Sequence, residues 1–224
     1  MGDAIGQMLP SAVGVAVSPL PIIAVVLILV TPRARVNGPA FVLGCWLGIA
    51  TVGGIVLAVS GGVSASDDGD PATWVGIAQL LLGGGLLFLA LKQWRSRPSE
   101  GEHPETPPWM NALDSFTPAK TLGVGFLLAG VNPKNLILVA AGAAAIAGTG
   151  ISAGDQALAL LIFVLIGSIG VTIPVAIYFL LGDRSREVLD DTKSWLQDNS
   201  ATIMAVVLLI LGVMIVGDGI STLT

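Results

Sequence analysis

The chain has 224 residues, 54% of them hydrophobic and 11% charged, with a mean hydropathy of +0.87 and a formal net charge of -5. A soluble domain carries about 25% charged residues, so this chain lacks the polar surface to face water, and lipid is the alternative solvent. One cysteine, Cys45, excludes an internal disulfide or a CxxC redox pair; the single His103 excludes a His-rich metal site, and no basic block points to nucleic acid.

The first apolar run, Ala4–Thr31, follows Met1-Gly2-Asp3, which offers no positive n-region and leads to no small-residue cleavage site. It is read as a retained helix rather than a signal peptide. MGDAIG lacks Ser or Thr at its sixth position and is a poor match for myristoylation. Runs at Pro39–Gly62 and Thr73–Gln93 complete a first triplet over residues 1–95. Residues 96–119, rich in Pro, Glu, Ser and Thr, read as a cytoplasmic linker. A second triplet over residues 120–224 follows, with runs at Thr121–Gly148, Asp155–Leu181 and Ala201–Gly219. Within it, residues 183–199 set Val188, Thr192, Trp195 and Leu196 on roughly one helical face, which suggests a short amphipathic helix on the inner membrane surface.

Each run can cross about 30 Å of hydrocarbon at about 1.5 Å per residue. Backbone groups in lipid must pair internally, so each run is a helix. The expected fold is therefore an all-α integral membrane protein of six transmembrane helices. Nine of the ten cations (Arg33, Arg35, Lys92, Arg95, Arg97, Lys120, Arg184, Arg186 and Lys193) fall in loops on one side. The other side's loops carry only acids such as Asp67, Asp68, Asp70, Asp155 and Asp218. The positive-inside rule makes the basic side cytoplasmic and puts both termini outside. Small residues such as Gly44, Gly48, Gly83, Gly167, Gly170 and Gly212 are read as packing positions for close helix approach.

Two runs carry prolines at mid-membrane depth. The first holds Val17-Ser18-Pro19-Leu20-Pro21-Ile22 and the fourth Val131-Asn132-Pro133-Lys134-Asn135-Leu136. Proline removes a backbone donor and clashes with the preceding turn, so both helices are expected to break there. Ser or Asn before Pro matches the N-cap and first-turn preferences of a new helix. The second half-helices should thus start at Pro19 and Pro133, with free N–H groups toward the midplane. The motifs align without gaps, and each opens a three-helix half. Because three is odd, the halves must be inverted relative to one another. Interrupted helices at matching positions of inverted repeats point to a transport site at the midplane.

Lys134 is the tenth cation and lies in no loop. It stands roughly 18 Å from either interface along the helix, beyond the about 6 Å reach of its own side chain. A charge held there marks a functional site by default. No Asp or Glu lies in the interior of any run to pair with it. One reading is that Lys134, Asn132 and Asn135 only cap a break and bond stray carbonyls. The other is that they form a site for an anionic carboxylate, sulfate or phosphate group. A proton-carrying role for Lys134 is a further option, although no relay partner stands near it in sequence.

With its proline break in the first helix (SPLP) and NPK motif in the fourth, the chain resembles the lysine-exporter superfamily of small transporters. Within it, the chain is most similar to the GAP/Sap family, the sulfolipid and peptidoglycolipid addressing proteins of actinobacteria. The resemblance covers nearly the whole chain. It implies export of a glycolipid or a small anionic or zwitterionic solute across the bacterial cytoplasmic membrane. The substrate-binding positions it carries over are Ser18, Pro19, Pro21, Asn132, Pro133, Lys134 and Asn135. The chain departs from the thiol-electron carriers, which need a cysteine pair, and from the nickel and cobalt exporters, which carry a His-rich loop.

The expected function is secondary transport by alternating access at that site. The alternative is an accessory protein that assists a larger lipid-export system without transporting by itself. Expected partners are membrane lipids, the solute or glycolipid, that export machinery and further copies of the chain; no cofactor or metal is expected. An enzyme is not expected, since no histidine lies in any run and no HExxH is present. Ser18 and Lys134 are the one pair that could form a serine–lysine dyad if the two motifs meet.

Overall fold

A computed structural model describes residues 1–63, 73–96, 116–182 and 185–223. Helices fill nearly all of these, and no strand occurs among them. The elements are α1 (Gly2–Ala16), α2 (Pro19–Leu29), α3 (Ala34–Val63), α4 (Thr73–Arg95), α5 (Pro118–Phe126), a π turn (Leu127–Val131), α6 (Pro133–Gly148), α7 (Ala153–Gly167), α8 (Ile169–Leu181) and α9 (Ser185–Leu223). Most of the 96–119 linker lies outside the described residues.

Two helical stretches, Ala34–Ser60 and Ala201–Leu223, are each long and apolar enough to cross a membrane. Three bent pairs qualify when each is taken as one span: α1 with α2 (50°), α5 and the π turn with α6 (64°), and α7 with α8 (57°). Large apolar side chains stand outward along the helices, with Leu180 of α8 82% and Leu81 of α4 73% exposed. Such faces belong in lipid rather than water. The chain is a membrane protein.

The expected breaks at Pro19 and Pro133 are present. A third, at Ser168, was not expected in the Asp155–Leu181 run, and it falls at a Gly167-Ser168 pair, a sequence known to kink helices. The corresponding helix of the first half, α3, runs unbroken. The amphipathic stretch after residue 183 also differs from expectation. It is no separate surface helix but the first part of α9, which continues through 39 residues. Residues 185–211 contain neither Gly nor Pro to end it. Leu196 is buried while Val188 and Trp195 are exposed, so the stretch divides its apolar residues between two faces.

Glycines set the closest helix contacts. α5 lies along α3 with Gly44 against the Leu122 carbonyl and Gly125 against that of Phe41; a Cβ at Gly48 would lie 2.6 Å from the Phe126 carbonyl oxygen. α4 pairs chiefly with α9, where Gly76 and Gly83 face Gly219 and Gly212. The buried core fills the space among the bent pairs and α3, with Met8, Val25, Phe41, Ile49, Leu138 and Phe163 at its centre.

Candidate functional site

Each break releases a backbone carbonyl. At the first, Ser18 N–H turns back to the Val15 carbonyl (3.2 Å), and Pro19 has no N–H to give. The Gly14 carbonyl thereby loses its ordinary partner four residues on. Lys134 Nζ donates to it instead, at 2.7 Å. At the second break the chain winds one residue too many, and Asn132 N–H reaches the Leu127 carbonyl (3.0 Å), five residues back. That frees the Leu128 carbonyl, which accepts from Asn135 Nδ2 at 3.1 Å.

Ser18 ties the two breaks together. Its Oγ accepts from Lys134 Nζ at 2.6 Å and donates to Asn135 Oδ1 at 2.7 Å. The Asn135 amide is oriented consistently, since its Nδ2 is spent on a carbonyl. Ser18, Lys134 and Asn135 are all buried, Lys134 with 9% of its surface exposed. Buried polar groups must be satisfied, and this network satisfies them across 116 to 120 residues of sequence.

Of the two expected N-caps, one forms and one does not. Asn132 Oδ1 does accept from Lys134 N–H at 3.1 Å, capping α6. Ser18 makes no cap bond, because its hydroxyl is committed to Lys134 and Asn135. Pro19 and Pro21 also leave Leu20 as the only N–H donor among the first three residues of α2. The positive character of the site therefore comes from the Lys134 ammonium more than from two helix ends.

The third break adds residues that sequence reasoning missed. Ser168 Oγ donates to the Val164 carbonyl at 2.7 Å, and Gly170 abuts the Ala16 carbonyl at the end of α1. Gly167 and Ser168 share with Ser18 and Asn135 the lining of a void of about 10 Å³, room for about one water molecule. The signal was the Gly167-Ser168 pair with Pro174 a turn and a half later; Gly167 reads as a packing residue in the sequence, and Ser168 and Pro174 are not singled out there.

A larger cavity, about 420 Å³, shares Ser18 and Pro21 with this void and is bordered by Lys134. Ser18, Pro19 and Pro21 of the first break and Asn132, Pro133 and Lys134 of the second line it, with Leu89, Lys92 and Gln93 from α4 and Met204 and Leu208 from α9. All the expected site residues except Asn135 border this cavity, and Asn135 stands behind them on Ser18. An ammonium has three donors, and the Gly14 and Ser18 bonds take two. The third is available to a ligand. No carboxylate lines the cavity among the described residues, and no group of metal-binding side chains occurs among them.

The family model for Sap, sulfolipid-1-addressing protein, matches residues 8–221. No curated protein and no solved structure matches the chain.

Proposed function

The chain belongs to the Sap, sulfolipid-1-addressing protein, family, and we propose that it is a carrier that moves an anionic headgroup across the cytoplasmic membrane. The observation that carries this reading is Lys134: a cation deep among the helices, with no carboxylate partner among the described residues and one donor left over, at the wall of a ligand-sized cavity. Its bonds to the stray Gly14 carbonyl and to Ser18 hold the breaks together, as the structural reading of the motif requires. Capping alone needs no cavity.

In this proposal α4, with 23 residues, is the sixth span, and the chain forms two inverted triplets with both termini outside. Arg33, Arg35, Lys92, Arg95 and Lys120 then mark the cytoplasmic face, and Trp94 and Trp195, 48% and 59% exposed, sit at its interface. The substrate is a glycolipid or a small anionic or zwitterionic solute. Its negative group takes the third donor of Lys134, and the junction of the three breaks rearranges to expose the cavity to the opposite face. The proposal is not enzymatic: the Ser18 hydroxyl directs its hydrogen to Asn135 and accepts from Lys134, the reverse of what a nucleophile needs from its base.

A second reading, an accessory protein for a larger lipid exporter, is favoured by the length of α9. Its first part extends beyond the Ala201–Leu223 span and exposes Val188 and Trp195. Purified protein in liposomes separates the two readings. Movement of a fluorescent sulfated glycolipid between leaflets without any partner supports the carrier; movement only after adding membrane extract supports the accessory role. Wild-type movement by Lys134→Ala would remove Lys134 from the site.

A further inference from the structure

The 420 Å³ cavity has a cation at each of two depths. Lys134 is buried, whereas Lys92, near the end of α4, is exposed, with the half-buried Gln93 beside it. The wall between is apolar, made by Leu89, Met204 and Leu208. A negative solute arriving from the basic end of the bundle meets Lys92 first.

We propose that Lys92 is the loading residue of this cavity: it captures an organic sulfate or phosphate monoester headgroup and passes it along the apolar wall to Lys134. The inference rests on the carrier reading above and adds a residue and a substrate class to it. A 420 Å³ chamber is of small-ligand size, within the range of about 300–1,000 Å³. It accommodates a headgroup and the first methylenes of a tail, and leaves long acyl chains outside. The apolar wall beside two cations fits an amphiphile with one anionic end better than a fully hydrated ion, which gains nothing from Leu89, Met204 and Leu208.

The two lysines are distinguishable by salt. Charges facing water are screened over about 10 Å at 0.1 M salt and about 3 Å at 1 M, while a buried charge is screened much less. Lys92 should therefore carry the salt-sensitive part of binding and the rate of capture, and Lys134 the salt-resistant part.

The test uses the full chain in nanodiscs of zwitterionic lipid, titrated with a fluorescent alkyl sulfate at low and high salt. Wild type should bind several-fold more weakly at high salt. Lys92→Gln should bind about three- to tenfold more weakly than wild type at low salt, with little remaining salt dependence. Lys92→Arg should behave as wild type, and so should Lys120→Gln, an exposed cation at the same end that does not line the cavity. Lys134→Gln should lose binding at both salts. If Lys92→Gln keeps wild-type affinity and salt dependence while Lys134→Gln loses binding, the loading role is overturned and the carrier site stands. If neither substitution changes binding, both are overturned. Competition separates the sources of the anion: displacement of the probe by an alkyl phosphate but not by inorganic sulfate supports the amphiphile, whereas equal displacement by inorganic sulfate overturns that substrate class. Equal binding of the uncharged alkyl alcohol overturns the two-cation basis.

Discussion

The broken helices and the α4–α9 pair both carry long apolar stretches and are held together by different means. Among the breaks, polar side chains collect the carbonyls that interrupted winding sets free, as Lys134 does for Gly14 and Asn135 for Leu128. Along α4–α9 nothing is interrupted between Thr73 and Arg95 or between Ser185 and Leu223, and glycines at Gly76, Gly83, Gly212 and Gly219 let the backbones close on each other. In lipid, apolar contact between helices has little driving force of its own, so association falls to close packing and to hydrogen bonds. The α4–α9 pair relies mainly on the first, with a Thr222–Gln79 hydrogen bond across it at 3.0 Å, and the broken helices add a buried network of the second. The cavity lies where the two regions meet.

The largest effect is expected where close packing reaches backbone. Gly48→Leu drives its side chain into the Phe126 carbonyl, which cannot rotate away, and the protein should give no monodisperse peak in fluorescence-detected size exclusion. A folded Gly48→Leu protein would show that α3 and α5 are separable. Next is Lys134→Ala, which leaves the Gly14 carbonyl without its donor at about 1–3 kcal/mol and removes the ligand's cation. Leaflet-to-leaflet movement of the sulfated probe should fall about 100-fold while the protein still elutes as one species. Ser18→Ala loses two hydrogen bonds but keeps the charge, so a loss of about tenfold is expected in the same assay, with thermal unfolding lowered by an amount corresponding to about 1–2 kcal/mol. A larger loss from Ser18→Ala than from Lys134→Ala would reverse the order of the two residues. The smallest effect belongs to the unbroken pair: Gly84→Ala meets open space on a helix interior, and it should leave transport unchanged and stabilise by up to about 1 kcal/mol.

These contrasts follow how much the sequence discloses. Pro19 and Pro133 are conspicuous because each follows a polar residue at mid-run, which says where the next helix starts, whereas Pro10 and Pro174 lie inside helices that continue through them. Lys134 is conspicuous because lipid tolerates so few charges. The third break is hidden, since Gly167 and Ser168 serve equally well for packing and only their adjacency hints at a bend. The π turn at Leu127–Val131 has no signal of its own in the sequence; it packs along α3, and α6 beyond it lies against α1. Ser18 has the sequence of a cap and a different task, which depends on Lys134 and Asn135 arriving from the other half of the chain. Propensity governs a residue until a distant partner offers a better bond. The apparent repeat is likewise imperfect where α3 stays whole and α7–α8 does not.

The unbroken course of α9 has a mechanical consequence. At about 1.5 Å per residue its 39 residues form a rod of about 58 Å, nearly twice the thickness of the hydrocarbon layer. Met204 and Leu208 sit on that rod at the cavity wall, and Trp195 sits on the same rod about 14 Å nearer its start, where Leu189 and Leu196 pack into the core. With no joint between them, a tilt applied at Trp195 arrives at the wall as a tilt. The helix is a lever with one arm at the cavity wall and the other at the exposed Trp195.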